Sequence, residues 1–144
     1  MSSTVVGSIA FDDVVTQHRT VKDALGGSAL YFATAASIFA PVNMVGVVGD
    51  DYPLSELSFL EKRGVDLSGV SVIEGGRTFR WGGEYERDMN KRQTTNLELN
   101  VFENFKPVLS EKAATAPYVF LGNIEPVLQL KVHEQAREPK LVAA

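Results

Sequence analysis

The stretch from Ala24 to Asp51, ALGGSALYFATAASIFAPVNMVGVVGDD, limits the possible folds of this chain more than any other segment. It runs from a glycine pair through a nearly all-apolar helix to a strand that ends in glycine and acid. Gly26 and Gly27 admit backbone conformations closed to other residues and let a ligand approach the main chain. Ser28 is a good N-cap for the helix that follows. From Ala29 to Phe39 only Thr34 and Ser37 are polar, so the helix is expected to be central and covered on several sides. Pro41 stops it. Val42 to Val48 then reads as a buried, β-branched strand of a parallel sheet bounded by Gly49. Glycines, a helix N-terminus and a strand end thus fall together, a setting that suits a polar or anionic ligand.

The rest of the chain extends this pattern. Thr4 to Ala10 reads as a short apolar strand carrying Gly7, and it leads into Phe11, Asp12 and Asp13. In open α/β sheets ligands bind beyond the carboxyl ends of strands, so these acids are candidates to hold substrate hydroxyls; a turn or loop cap is the alternative. Residues 14 to 25 read as a loop with some extended character, in which His18 stands alone without a partner at metal spacing. Pro53 opens a helix through Leu54, Leu57, Leu60 and Arg63 that stops at Gly64, with Glu56, Glu61, Lys62 and Arg63 as its wet face.

The period then changes. Val70 to Glu74, a Gly75-Gly76 turn, Thr78 to Glu86 and Thr94 to Phe102 read as extended segments. Alternation puts Phe79, Trp81 and Tyr85 on one face and Thr78, Arg80, Glu84 and Glu86 on the other, with Gly82 and Gly83 as a bulge or bend. Residues 72–101 are therefore expected to form a small antiparallel insertion in an α/β domain made of 1–71 and 102–144. Its aromatic stripe must be covered, by a ligand, by a second subunit or by the parent domain. From Pro117 the α/β rhythm returns, with a strand Tyr118 to Leu121, a Gly122-Asn123 end, a helix Glu125 to Arg137 bearing Val127, Leu128, Leu130 and Val132, and a strand from Lys140 to Ala144. A domain seldom ends inside a fresh apolar strand, so the expectation is the first part of a longer protein.

At 144 residues one domain would bury roughly 68 to 70% of its unfolded surface. The net charge of -4 argues against nucleic acid, which is gripped by clustered Lys and Arg. No run approaches the roughly 20 apolar residues of a membrane span, and MSSTVVGS lacks the basic region of a signal peptide. The absence of cysteine excludes disulfides and thiolate metal sites and fits a reducing, cytoplasmic setting. G-x-G-x-x-G after the first strand is missing, which counts against a dehydrogenase-type dinucleotide-binding domain, and the absence of G-x-x-x-x-G-K-[ST] and G-x-S-x-G excludes the P-loop and α/β-hydrolase readings. What remains is a sheet edge offering Asp12, Asp13, Gly26, Gly27, Asp50, Asp51 and Asn123. Carboxylates accept hydrogen bonds from hydroxyls and an amide can accept or donate, so this set suits a polyhydroxyl ligand.

In order along the chain, VVGSIAFDD, GGSALYFATAAS, VGVVGDD, RGVDLSGV, TFRWGGEY and YVFLGN resemble the N-terminal half of the ribokinase-like (PfkB-type) sugar and nucleoside kinases. The resemblance implies a mostly parallel sheet flanked by helices, with an inserted antiparallel β lid that closes over substrate and often mediates dimerisation. It also implies ATP-dependent phosphoryl transfer to a hydroxyl, helped by Mg²⁺. By position, the family's substrate-binding acid corresponds to Asp12, its glycine pair to Gly26 and Gly27, the acid of V-G-x-x-G-x-D to Asp51, and a strand end near the substrate to Gly122 and Asn123. Tyr31 stands where the family usually has Asn. The G-A-G-D motif, which supplies the family's catalytic base and anion hole, has no counterpart here. The resemblance therefore implies no catalytic residue within these residues. It implies a substrate-binding and lid portion, inactive alone, whose small-molecule partner is a sugar or nucleoside and whose lid residues are Phe79, Trp81 and Tyr85. A non-catalytic sugar- or nucleoside-binding module, or one that dimerises through its lid, is the alternative.

Overall fold

The structure, a computed structural model, describes all 144 residues, Met1 to Ala144. Its frame is a five-stranded parallel sheet in the order β5-β4-β1-β8-β9. The strands are β1 (Ser3–Val6), β4 (Val42–Gly49), β5 (Val65–Ile73), β8 (Tyr118–Leu121) and β9 (Leu141–Ala143). Every residue of β4 is buried, as a strand covered on both faces requires. On one face Val5, Met44 and Val48 pack with Leu30 of α1 (Ser28–Ala36) and Leu60 of α2 (Ser58–Glu61). On the other, Val6, Val45 and Val119 pack with Phe105, with Ala113 of α3 (Glu111–Ala114) and with Val132 of α4 (Pro126–Gln135). Successive strand residues thus serve opposite cores, which follows from the two-residue repeat of a strand.

A second, four-stranded sheet stands beyond the main one, in the order β3-β2-β6-β7. Its members are β2 (Ala10–Val15), β3 (Thr20–Gly26), β6 (Phe79–Tyr85) and β7 (Arg92–Glu98). This corrects the expected insertion in three respects. Half of the sheet comes from residues 10–26, which the sequence presented as a strand end and a loop. The central β2–β6 pair is parallel, with Ala10 opposite Phe79 and Asp12 opposite Trp81, so the sheet is not wholly antiparallel. Finally, Val70 to Ile73 belong to β5 and pair with β4 in the main sheet, while residues 100–104 form a 3-10 helix rather than extended chain.

The helices also differ from expectation. α1 buries only Ala29, Leu30 and Ala33; Tyr31, Ile38 and Phe39 are exposed. It is covered on one side rather than on several. Ser28 is its first helical residue, and Gly27, at φ 100°, is the N-cap. The expected helix after Pro53 is a 3-10 turn, Leu54–Leu57, followed by the single turn of α2, with Leu57 and Leu60 buried as the spacing required. In α4, Val127 and Leu130 are exposed and Val132 is buried. No helix is long and apolar enough to cross a membrane.

The two sheets are joined at Thr78, which is fully buried. Its hydroxyl accepts from the Gly49 N–H (2.9 Å) and donates to Asp51 Oδ1 (2.6 Å), and its own N–H donates to the same carboxylate oxygen (2.9 Å). Asn100 Nδ2 donates to the Thr78 carbonyl (2.9 Å). The end of β4 thereby grips the start of β6. A buried acceptor left without its donor costs more than the net value of the bond. We predict that Thr78→Val lowers unfolding free energy by about 2 kcal/mol, read by urea denaturation, and that Thr78→Ser recovers most of it. Equal stability of the Val variant and the parent would show that this junction is not what holds the sheets together.

Candidate functional site

Asp12 owes its position to the glycine pair. β2 and β3 pair antiparallel, with Ala10 opposite Gly26 and Asp12 opposite Ala24. The Asp12 carboxylate lies over Gly26, where any Cβ would overlap its oxygens. A side chain at that position would push the acid aside, so glycine is needed here for close approach. At Gly27 the positive φ turns the chain from β3 into α1, and a Cβ would strike the Ser8 carbonyl.

The N-terminus of α1 is pinned by a reciprocal serine pair. The Ser28 N–H donates to Ser8 Oγ (3.0 Å), the Ser8 N–H donates to Ser28 Oγ (3.2 Å), and the Ala29 N–H donates to the Ser8 carbonyl (3.0 Å). Ser28 Oγ also accepts from the Asn123 N–H (3.0 Å). One hydroxyl therefore joins the ends of β1 and β8 to the start of α1. The first two amides of the helix are engaged by Ser8, so they are not free for the anionic ligand suggested by the sequence.

These elements enclose a cavity of about 360 Å³. Its floor holds Asp12, Gly27, Ser28 and Asn123, with Tyr31 at one side. Phe79, Trp81 and Tyr85 of β6 form its wall, beside Arg92, whose guanidinium lies over the Trp81 ring (5.4 Å). Asp12, Gly27, Tyr31 and Asn123 thus meet the three aromatics in one place, with Gly26 beneath the acid. Asp51 does not join them. It ties down Thr78 and lines a separate cavity with Arg80 and Phe11. Asp13 faces the other side of the second sheet from Asp12, where its Oδ1 accepts from the Asp23 N–H (2.8 Å), and Asp50 accepts from the Gly75 N–H (2.7 Å). Ser8 and Arg92 escaped the sequence reading, and Thr78 entered it only as a member of a strand face. Ser8 carried one clue in following Gly7 at a strand end, whereas Arg92 lay in a polar stretch without apolar alternation.

Asp12 is half-buried, and loss of hydration raises its pKa above the ordinary carboxylate range. The Tyr31 hydroxyl, donating to Asp12 Oδ2 at the long distance of 3.4 Å, works against this rise, and the Asp13 charge adds to it. Burial and the Asp12 charge raise Tyr31 in turn. Tyr52, stacked obliquely on Phe11 with ring centres 5.3 Å apart, has a buried hydroxyl without a partner, and burial pushes that group upward too. Such a cavity accepts hydrogen bonds from hydroxyls at Asp12, presents an amide at Asn123 and offers aromatic faces to an apolar ring or sugar face.

The fit to a nucleoside triphosphate and its magnesium is poor. Arg92 is the only cation lining the cavity, the Ser28 and Ala29 amides of α1 are engaged by Ser8, and no three His, Asp or Glu residues gather as a cation site.

No family sequence model matches this chain, and no curated protein sequence matches it. Solved structures match it by fold. A Cryptococcus neoformans ribokinase in complex with ADP superposes with a TM-score of 0.72 at 19% identity, covering 98% of this chain and 48% of that one. A Burkholderia thailandensis nucleoside kinase in complex with inosine gives 0.66 at 16% identity, covering 94% and 48%. An Arabidopsis thaliana ribokinase complexed with ribose and ATP gives 0.65 at 17%, covering 98% and 51%. The fold is ribokinase-like, and the chain spans about half the length of the structures it matches.

The Tyr31–Asp12 contact sets a direction that can be measured. Because the phenol's hydrogen bond favours the charged carboxylate, Tyr31→Phe is expected to move the Asp12 titration midpoint to higher pH, followed through its side-chain ¹³C carboxyl signal. A midpoint that stays put or moves lower would mean the phenol does not act on the acid.

Proposed function

We propose that this chain is the substrate-binding and lid portion of an ATP-dependent sugar or nucleoside kinase, inactive by itself in phosphoryl transfer. The observation that carries this reading is the cavity that places the Asp12 carboxylate and Asn123 under Phe79, Trp81 and Tyr85. Asp12 accepts hydrogen bonds from two substrate hydroxyls. Trp81 and Tyr85 cover the face of a sugar ring or a nucleobase, and Asn123 fixes orientation. The second sheet acts as the lid, and its closure removes water from around Asp12 and strengthens each of these bonds. ATP and Mg²⁺ belong to this reading through the fold it shares with the ADP and ATP complexes, and the residues present do not fit them. Phosphoryl transfer rests on positioning and on stabilising developing charge, and the cavity's one acid and one cation are too few for it.

That same scarcity favours a second reading, a sugar- or nucleoside-binding module without catalysis. The exposed edge strand β7, with Leu97 57% exposed, further suggests a homodimer through the second sheet in either case. A cytoplasmic location also belongs to the proposal.

Trp81, the chain's single tryptophan, reports directly on the cavity. Titration with ribose and with adenosine is expected to change its fluorescence saturably for at least one of them. Asp12→Asn is expected to weaken that ligand by about 10- to 100-fold, the value of one or two charge-assisted hydrogen bonds. Undiminished binding in the variant would remove Asp12 from the site. The two readings separate by native mass spectrometry of the protein from its own cells. A polypeptide about twice the 15.7 kDa of these residues supports the kinase reading and one of that mass supports the binding module, while a copy number of one would exclude the dimer.

A further inference from the structure

The largest cavity of the molecule lies away from Asp12, on the α3/α4 face of the main sheet. It measures about 570 Å³, within the range of small-molecule sites. Its floor is apolar, made of Val47 of β4, Ile73 of β5, and Val101 and Phe105 from the 3-10 segment and its end. Its rim carries Arg77 and Lys106 and the amides of Asn100 and Asn104. No acid lines it, although the chain as a whole has a net charge of -4. Arg77 pairs with Glu98 at 3.3 Å, and Lys106 takes part in none of the chain's salt bridges.

The walls are held by main-chain bonds. The Val101 N–H donates to the Arg77 carbonyl (3.1 Å), the Phe105 N–H to the Phe102 carbonyl (3.1 Å), and the Gly76 N–H to the Ile73 carbonyl (3.1 Å). Phe102 stacks between Phe79 and Phe105, with ring centres 5.2 and 5.8 Å apart. The hollow is therefore formed in the free protein and need not be opened by what enters it.

We propose that this cavity is a second ligand site, specific for a small carboxylate with an apolar body. The apolar body lies against Val47, Val101 and Phe105. The carboxylate meets Lys106 and Arg77 at the rim, where charge-assisted hydrogen bonds give specificity, and the Asn amides accept or donate around it. A neutral ligand would leave Lys106, which has no acidic partner, unanswered, and a dianion or polyphosphate would find too little polar lining on the floor.

The test is a titration of the full chain with phenylacetate, followed by two-dimensional ¹H–¹⁵N NMR. Saturable shifts are expected to concentrate at the amides of Gly76, Val101, Phe105 and Lys106. The neutral analogue 2-phenylethanol and the variant Lys106→Gln should each weaken binding about tenfold, as loss of a charge-assisted bond implies. Val101→Trp should fill the hollow and remove the shifts. If that variant does not fold, the exposed Lys106→Gln alone still decides. The proposal is overturned if no shift saturates, if the shifts centre on Phe39, on Phe120 or on the Asp12 cavity, or if phenylethanol and phenylacetate bind alike.

Discussion

The reciprocal hydrogen bonds between Ser8 and Ser28 are the contact on which the Asp12 cavity depends. They fix where α1 starts relative to the end of β1, and the same Ser28 oxygen holds the β8 end through Asn123. Three segments distant in the sequence therefore meet at one hydroxyl. Glycine is required around it because the backbones come so close that a methyl group at Gly7 or Gly122 would crowd the Ser28 oxygen. Serine is the small side chain that both fits this space and satisfies amides that would otherwise be buried unpaired. The site is thus built mainly from main-chain geometry, with Asp12, Tyr31 and the aromatics added to it.

Much of the fold could be read from the residues because parallel strands and core helix faces carry strong patterns. Val42 to Val48 was plain as a buried strand, and Leu57 and Leu60 carried the correct helical spacing. Residues 10–26 were harder. Their charges and polar residues, Asp12, Asp13, His18, Lys22 and Asp23, break the alternation that marks a strand, and one of the two strands, β2, takes its second partner from β6, which lies far along the chain. The apolar character of residues 29–39 pointed to cover on several sides, yet Tyr31, Ile38 and Phe39 are exposed; composition reports what a helix could bury and says nothing of whether a partner is present. Asp51 shows the same gap at the site. It stands at a strand end like Asp12, but whether such an acid faces a ligand or a neighbouring backbone depends on Thr78, a contact that no local pattern announces.

The two sheets have different electrostatic characters. The main sheet is apolar on both faces and tolerates a few satisfied polar groups such as Asn43, whose amide donates to the Ser3 carbonyl and to Thr4 Oγ1. In the second sheet, each side of one thin layer carries both an acid and a cation, Asp12 with Arg92 on one and Asp23 with Arg80 on the other. Asp12 faces the cavity, while Arg80 lies on the reverse over the Phe11 ring (4.7 Å) and pairs with Asp23. Partial dehydration without a full ion partner leaves Asp12 more easily protonated than a surface acid, which makes it responsive to whatever covers it.

The parallel pairing of β2 with β6 also bears on how the chain folds. These strands cannot be joined by a hairpin; α1, β4 and β5 all lie between them, and a contact across so long a loop forms late because chain entropy opposes it until the intervening segments have condensed. The residues of the cavity wall therefore spend the early part of folding apart, with Phe79 and Trp81 still in water. During synthesis the β2–β3 hairpin would leave the ribosome well before its partner strand exists. Burial of Trp81 in a refolding experiment is therefore expected late in assembly, after the segments between β2 and β6 have condensed.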